Sequence, residues 1–166
     1  LRTFKNKNIF KAKEHIERLF RSAKGITLKI TYTQKEIFNM LSTVTKKSPH
    51  KLQRLKIIAI KEGIIITSLP LKEEKEIYEK GVSCMSVICK RSLPEIKSIS
   101  YLPSMLAHEK ALKKGHFDAI LIDDNEEVYE GAYSNIFWFE GNTLCTRNDQ
   151  ILKGIIRETI LEISPF

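Results

Sequence analysis

The chain has 166 residues, of which 42% are hydrophobic and 29% charged, and it carries a formal net charge of +8 at pH 7. These values fit a folded protein of one domain or two small ones, and nothing in the composition suggests disorder. The longest apolar runs are far shorter than the roughly 20 residues of a membrane span, so we expect no membrane partner. Lysines alternate with glutamates, as in residues 72–76. The positive charge therefore predicts a solvated surface and no nucleic-acid partner.

Cysteines and histidines do not form the spacings that metals or disulfide frameworks require. Cys84, Cys89 and Cys145 are scattered and include no CxxC pair. We therefore expect no metal site and no disulfide, and the cysteine usage is typical of a reducing cytoplasm. The histidines lack ligand spacing as well, and we expect His15 and His108 to lie on helix surfaces.

Two helices are predicted in the first part of the chain. Apolar residues recur with helical period over residues 11–24, and Gly25 is a plausible end of this helix. A second helix is predicted over residues 34–46. Thr33 precedes it and Glu36 follows three positions later, which is the pattern of a capping box.

β-Structure and a linker are predicted next. Residues 55–60 and 64–68 are rich in β-branched side chains and flank a Glu-Gly pair, which predicts a hairpin. Residues 82–89 predict another strand. The segment 91–98 contains a proline and has no regular period, so it is the best candidate for a linker.

The rest of the chain combines helices with short strands. A helix is predicted over residues 103–114, ending at Gly115, and a last helix begins near Gly154 and continues through Ile163. Between them, four short strands are predicted at residues 119–123, 128–129, 135–139 and 143–146. The fold class is therefore α+β with two subdomains.

The predicted domain organisation follows from this order of elements. Residues 1–90 form a small N-terminal subdomain, 91–98 the linker, and 99–166 the first half of a larger, β-rich subdomain. Both ends of the chain have the appearance of cuts, because neither has the polar tail usual at a natural terminus.

Three features carry chemistry. Glu130 precedes small and polar residues and then an aromatic strand, which is suitable for an acid facing a pocket. Gly154 opens a helix whose N–H groups are suited to an anion. Lys97 lies in an apolar linker next to hydroxyl residues, as a Schiff-base lysine would. From the local sequence alone, an exposed strand end, an ordinary loop-to-helix junction and a surface lysine are the simpler interpretations.

Four segments, in this order, resemble the class IV aminotransferases, the fold-type-IV pyridoxal-phosphate enzymes. Residues 10–23 resemble the motif F-x-x-x-E-H-x-x-R-L-x-x-S-A, and residues 97–107 resemble the segment that carries the cofactor lysine. Residues 130–137 resemble E-G-x-x-S-N-[IV]-F, and residues 151–157 resemble I-L-x-G-I-T-R. The resemblance implies the fold of D-amino-acid aminotransferase, truncated at both ends because members of the family are longer.

The resemblance implies roles around the ring of pyridoxal 5′-phosphate. Lys97 would bind the cofactor covalently and move the substrate proton. Glu130 would pair with the pyridine nitrogen and keep it protonated. Tyr101 would lie near the lysine, and Ser134 and Asn135 belong to the same cofactor-binding motif.

The resemblance also implies a phosphate site. Arg18 would bind the phosphate through its guanidinium group, and the backbone of Gly154, Ile155 and Ile156 would bind it at the helix N-terminus. Ile156 replaces the usual threonine, which removes a hydroxyl contact but keeps the N–H. Tyr133 is bulky at a position where small residues are common.

The implied activity is amino transfer between an amino acid and a 2-oxo acid, in a cytoplasmic homodimer. Tyr101 favours branched-chain substrates. The nearest alternative is 4-amino-4-deoxychorismate lyase, which shares fold, lysine and cofactor but eliminates pyruvate, and Ile156 favours it. An alternative of another class is a cofactor-free basic binding module with the same fold.

Overall fold

A computed structural model describes residues 1–72 and 75–164. The chain divides into two compact units, Leu1–Glu74 and Lys75–Phe166. Within the described residues, no helix is both long and apolar enough to span a bilayer. Helices and strands are mixed in both units, which confirms the predicted α+β class.

The first unit combines two helices with a long hairpin. Its elements are β1 (Thr3–Phe4), β2 (Asn8–Ile9), α1 (Ala12–Gly25), α2 (Gln34–Lys47), β3 (Gln53–Ile60) and β4 (Gly63–Pro70). Strands β3 and β4 are antiparallel with Ile60 opposite Gly63, so the predicted hairpin is confirmed. The two predicted helices are also confirmed, to within one or two residues at each end.

The N-terminus of α2 has the predicted capping box. The backbone N–H of Glu36 donates to the hydroxyl of Thr33 (3.2 Å), and the backbone N–H of Thr33 donates to the carboxylate of Glu36 (2.7 Å). Each side chain thus satisfies a backbone N–H that the helix leaves without a partner.

The apolar stripes of α1 and α2 form the core of this unit together with the hairpin. Ile16, Ile37, Leu41 and Leu55 are at most 2% exposed. Their burial explains why the amphipathic period of the two helices was a reliable signal, since each stripe has a partner to cover it.

The second unit begins with a short helix that the sequence did not predict. Its elements are α3 (Lys75–Lys80), β5 (Cys84–Ile88), α4 (Leu102–Lys113), β6 (Asp118–Ile122), β7 (Val128–Gly131), β8 (Phe137–Glu140), β9 (Thr143–Thr146) and α5 (Ile155–Ile163). Helix α3 has no buried residue and carries an ion pair between Lys80 and Glu76. It was missed because it has no apolar stripe.

Strands β5, β6 and β7 form a three-stranded sheet in that order. Strand β5 is parallel to β6, and the crossover between them contains α4. The core beneath α4 consists of small and branched side chains: Val87, Ala107, Ala111, Ala119, Leu121 and Ala132. Pairing with β6 places β5 in the second unit, so the compact units divide before the predicted linker at 91–98. A domain boundary at that linker stays a prediction.

Helix α4 ends where the sequence predicts. Gly115 follows its last turn with φ of 81°, a left-handed conformation that a side chain would strain, and its N–H donates to the carbonyl of Leu112 (2.9 Å). The chain then turns and enters β6 at Asp118, so that β6 packs against α4.

Candidate active site

Glu130 is a buried carboxylate at the end of β7. It is 5% exposed. One carboxylate oxygen accepts a hydrogen bond from the guanidinium of Arg91, and the other accepts one from the backbone N–H of Leu152 (3.2 Å). A charge this buried requires such partners, and Arg91 compensates it. The exposed strand end that local sequence favoured is therefore not observed.

The other backbone group of Leu152 binds Asn135. The side-chain amide of Asn135 donates to the carbonyl of Leu152 (2.7 Å). A Cβ atom on Gly154 would lie 2.3 Å from the Oδ1 atom of Asn135, so only glycine permits this approach. Leu152 thus ties the end of β7, which carries Glu130, to the segment that opens α5.

Ser134 closes the loop between these residues. Its backbone carbonyl accepts a hydrogen bond from the N–H of Gly131 (2.7 Å). A Cβ atom on Gly131 would lie 2.2 Å from the Ser134 hydroxyl oxygen, so the loop is as tight here as at Gly154. The structure thus gives Ser134 a place in the loop beside Glu130.

Helix α5 presents its N-terminus next to this loop. Gly154 is its N-cap and no side chain caps it. The first backbone hydrogen bond of the helix runs from the N–H of Glu158 to the carbonyl of Gly154 (2.9 Å). The N–H groups of Ile155 and Ile156 therefore precede the helical ladder, where they and the helix dipole favour an anion.

A buried arginine holds α5 in place. Arg157 is 3% exposed, and its guanidinium donates to the carbonyl of Arg147 (2.9 Å) and to the side-chain oxygen of Asn148 (3.2 Å). It also pairs with the neighbouring Glu158. These bonds fix the first turn of the helix against the loop that precedes Gly154.

Lys97 is exposed in a segment of turns that leads into α4. The N–H of Ser98 donates to the carbonyl of Ile96 and that of Tyr101 to the carbonyl of Ile99, both at 3.0 Å. These bonds keep the segment compact without a helix or strand. Tyr101 is the N-cap residue of α4, so the helix fixes the end of the lysine segment.

Three ring side chains stand together beside this segment. The Tyr133 ring meets the ring of Tyr101 edge-on with centroids 6.3 Å apart, and it meets the ring of His108 in the same way at 5.1 Å. His108 donates through Nδ1 to the carboxylate of Asp118 (2.9 Å). His108 lies on helix α4, as predicted, but its pairing with Asp118 leaves it only partly exposed.

Arg18 lies in the first unit, on α1. Its guanidinium donates to Nδ1 of His15 at 3.5 Å. Burial, and after it positive charge that includes Arg18, lowers the pKa of His15 to about 3. Burial, and then the neighbouring Arg21, lower the pKa of Arg18 from its usual value. His15 lies on helix α1, as predicted, but it is only partly exposed there.

Sequence reasoning missed three contributors to the arrangement around Glu130. Arg91, the backbone of Leu152 and the side chain of Arg157 hold it together, yet none stood out from the residues. One arginine among 28 basic residues carries no local signal. Leu152 and Arg157 do belong to residues 151–157, which resemble the motif I-L-x-G-I-T-R. That motif was the only sign in the sequence that these two residues take part in the site.

Comparison with known proteins places the chain in a family. Residues 1–165 match the family described as Amino-transferase class IV. The chain therefore belongs to the class IV aminotransferases, a family of pyridoxal-phosphate-dependent enzymes. The resemblance seen in the sequence is thereby confirmed.

Individual relatives share the fold and carry different activities in their names. The chain is 31% identical to a D-alanine aminotransferase of Staphylococcus haemolyticus, covering 94% of the chain and 61% of that protein. It is 29% identical to an aminodeoxychorismate lyase of Bacillus subtilis, over 89% of the chain and 57% of the relative. A branched-chain aminotransferase structure from Thermoproteus uzoniensis is 26% identical with a TM-score of 0.75, covering 98% of the chain and 62% of that structure. The chain thus spans about three fifths of the length of such relatives.

Proposed function

We propose that the protein is a pyridoxal-phosphate-dependent aminotransferase that moves an amino group between an amino acid and a 2-oxo acid. One observation carries the proposal. Leu152 joins the buried carboxylate of Glu130 to Asn135 and to the start of α5 through its two backbone groups. An acid suited to a protonated ring nitrogen and a helix N-terminus suited to a phosphate are thereby connected by one residue.

The residues present fit the two ends of this cofactor. A buried carboxylate accepts hydrogen bonds, as a ring nitrogen that carries a proton requires. The N–H groups at Ile155 and Ile156, with the positive end of the α5 dipole, suit a phosphate. Glycine at position 154 keeps the approach to these groups free of a side chain.

The chain's own residues would then perform separate tasks. Pyridoxal phosphate, when bound, withdraws electrons from the substrate carbon that loses its proton. Glu130 holds a proton on the ring nitrogen, and Arg91 and Leu152 keep Glu130 oriented. Lys97 would bind the cofactor and, once the substrate displaces it, would move the proton between the α-carbon of the substrate and carbon C4′ of the cofactor. Tyr101, at the start of α4, lines the lysine side, and Ser134 and Asn135 shape the loop beside Glu130.

Arg18 is proposed as a phosphate ligand on its motif alone. Its guanidinium offers the planar fork that binds phosphate oxygens. His15 stays uncharged beside it, because its pKa of about 3 is far below neutral pH, and so it adds no repulsion.

Branched-chain amino acids are the substrates that Tyr101 favours, and lyase chemistry is the second candidate. The specific observation behind the second candidate is Ile156, which leaves the phosphate without a hydroxyl at that position. Both functions use Lys97 and the same cofactor, so only the products distinguish them.

The test is to incubate the full-length protein with leucine and 2-oxoglutarate, and separately with aminodeoxychorismate. We expect glutamate from the first mixture and no pyruvate from the second. Lys97→Ala should abolish amino transfer. The control is Lys113→Ala, which replaces an exposed lysine on α4 and should preserve amino transfer. Pyruvate release without amino transfer would replace the first proposal with the second.

We also propose a cytoplasmic homodimer. The three cysteines are all free in the structure, which supports a reducing compartment. The homodimer rests on the resemblance. Size-exclusion chromatography of the full-length protein with light scattering would measure its mass, and a monomer would contradict the dimer.

A further inference from the structure

Arg147 lies just after β9, and its guanidinium is held by side chains from both directions along the chain. The guanidinium carbon stands 4.1 Å from the centroid of the Tyr129 ring, where the face of the ring attracts a cation. The group also donates to the carboxylate of Glu127 (2.8 Å) and to that of Asp149 (3.1 Å). Only 19% of the Arg147 side chain is exposed. Its orientation is therefore set by β7, by the residue before β7 and by its own loop.

The ring that supports Arg147 is fixed as well. The hydroxyl of Tyr129 donates to Oδ2 of Asp123 (3.1 Å), and Oδ1 of Asp123 accepts the backbone N–H of Glu127 (3.0 Å). Tyr129 precedes Glu130 directly on β7. The strand that carries the buried carboxylate thus also carries the ring on which Arg147 rests.

The backbone of Arg147 holds α5. Its carbonyl accepts hydrogen bonds from Nη2 and Nε of Arg157, at 2.9 and 3.3 Å, and Nη2 also donates to the side chain of Asn148 (3.2 Å). Arg157 belongs to the first turn of α5 and is 3% exposed, so water cannot replace these partners. A continuous series of contacts therefore runs from β7 through Arg147 to the first turn of α5.

This series is a second connection between the strand of Glu130 and α5. The first connection consists of the hydrogen bonds that the backbone of Leu152 makes. The second passes from Tyr129 through Arg147 to Arg157. One attachment would leave the start of the helix free to turn about it, whereas two attachments fix its direction as well as its position.

We propose that Arg147 is a positioning residue for the anion site at the N-terminus of α5. It acts through Arg157 and not by contact with the cofactor. The inference rests on the proposed function, in which the N–H groups of Ile155 and Ile156 bind the phosphate of pyridoxal phosphate. Hydrogen bonds weaken steeply as their geometry departs from the optimum, so a small movement of this turn weakens the hold on phosphate. The carboxylate of Glu130 keeps its own partners, and the ring end of the site is unaffected.

The test compares pyridoxine 5′-phosphate with pyridoxine. The two compounds differ only in the phosphate, and neither has the aldehyde that forms a covalent bond with a lysine. Isothermal titration calorimetry of the full-length protein, freed of cofactor, gives a Kd for each. The ratio of the Kd for pyridoxine to the Kd for pyridoxine 5′-phosphate then measures how much the phosphate contributes to binding.

Arg147→Met keeps an unbranched side chain but removes the guanidinium. We expect the ratio to fall about tenfold, as for the loss of one hydrogen bond to a charged group. The Kd for pyridoxine should stay unchanged, because pyridoxine does not use the anion site. In an Arg157→Met background, Arg147→Met should lower the ratio no further, since its effect passes through Arg157.

Two milder variants accompany this one. Glu127→Gln weakens one contact of Arg147 at an exposed position, and it should lower the ratio by a smaller factor, below about fivefold. Thr33→Ala is the control, because it removes the cap of α2 in the other unit and should lower stability without changing the ratio.

The outcomes separate this inference from the proposed function. A wild-type preference for the phosphate compound that Arg147→Met retains would overturn the positioning role and leave the proposed function standing. An equal fall in the Arg157→Met background, or a fall of the same size in Thr33→Ala, would also overturn it. If Arg147→Met does not fold, Glu127→Gln decides, and an unchanged ratio overturns the inference. A wild-type protein that binds neither compound, or both equally, would overturn the proposed function as well.

Discussion

Replacing Gly154 by alanine should disturb the connection between Glu130 and α5. The backbone of Gly154 has φ of −68° and ψ of 145°, which alanine adopts without strain. The added Cβ atom, however, would stand 2.3 Å from Oδ1 of Asn135. Any loss of stability must therefore come from this contact and not from backbone conformation.

The size of the effect follows from the distance. A carbon–oxygen contact is comfortable at about 3.4 Å, so the Asn135 amide must move by about 1 Å. Its 2.7 Å hydrogen bond to the carbonyl of Leu152 cannot survive that movement. Losing the bond costs about 1 kcal/mol and the overpacking about 1–3 kcal/mol, while the less flexible unfolded chain returns up to about 1 kcal/mol. We expect a net loss of about 2–3 kcal/mol.

Urea unfolding of the full-length protein, followed by circular dichroism, measures the loss. Gly154→Ser is a matched variant, because serine is a preferred N-cap residue but carries the same Cβ atom. We expect Gly154→Ser to be destabilised as well. In an Asn135→Ala background, where the contacting oxygen is absent, Gly154→Ala should cost less than about 0.5 kcal/mol.

Two results would refute the reasoning about Gly154. Equal losses from Gly154→Ala in the wild-type and Asn135→Ala backgrounds would show that Asn135 is not the obstacle. A fully stable Gly154→Ser variant would show that capping, and not the close approach, decides the residue.

Further effects are expected elsewhere in the chain. Arg91→Gln leaves the carboxylate of Glu130 buried without its cation, and urea unfolding should show a loss of about 2–4 kcal/mol. Arg157→Met removes a buried guanidinium from the oxygen atoms that it binds, and urea unfolding should show a loss of stability of about 2–3 kcal/mol. An unfolding midpoint equal to that of the wild type would contradict this prediction. Thr33→Ala breaks the capping box of α2 and should cost about 1 kcal/mol. The pKa of His15 is about 3 in the folded chain and 6.5 in an unfolded one, so the unfolded chain binds the proton first as the pH falls. Stability should therefore fall as the pH drops from 6.5 toward 3, and His15→Gln should make that fall shallower.

Element positions were predictable where a local pattern has a local cause. The stripe that contains Ile37 and Leu41 is buried as its period indicates, and the capping box at Thr33 forms because all its groups lie within one turn. Helix α3 lacked such a pattern and was missed. The parallel pairing of β5 with β6 was also beyond local reasoning, since no short segment encodes which distant strand it joins.

The sequence predicted which residues form most of the candidate site, but it did not predict which of them contact one another. Glu130, Asn135 and Gly154 were recognised together from motif spacing, and the structure brings these three together around Leu152. Arg91 was not recognised, because its pairing with Glu130 depends on the tertiary fold.

The partners of the two histidines were not predicted for a related reason. His15 and His108 have helical neighbours that are charged, so a surface position was the simpler expectation. Each instead faces a partner, Arg18 three positions along α1 or Asp118 across from α4. A single sequence does not show which polar residue will find a partner after folding.

The identity of the residue that binds the cofactor is the most direct test of the proposed function. The full-length protein, loaded with pyridoxal phosphate and reduced with borohydride, can be digested with trypsin and its labelled peptide sequenced by mass spectrometry. We predict the label on Lys97, its loss in Lys97→Ala and its retention in Lys113→Ala. A label on another lysine, or a colourless protein that takes up no cofactor, would contradict the assignment, and the second result would favour a cofactor-free binding module.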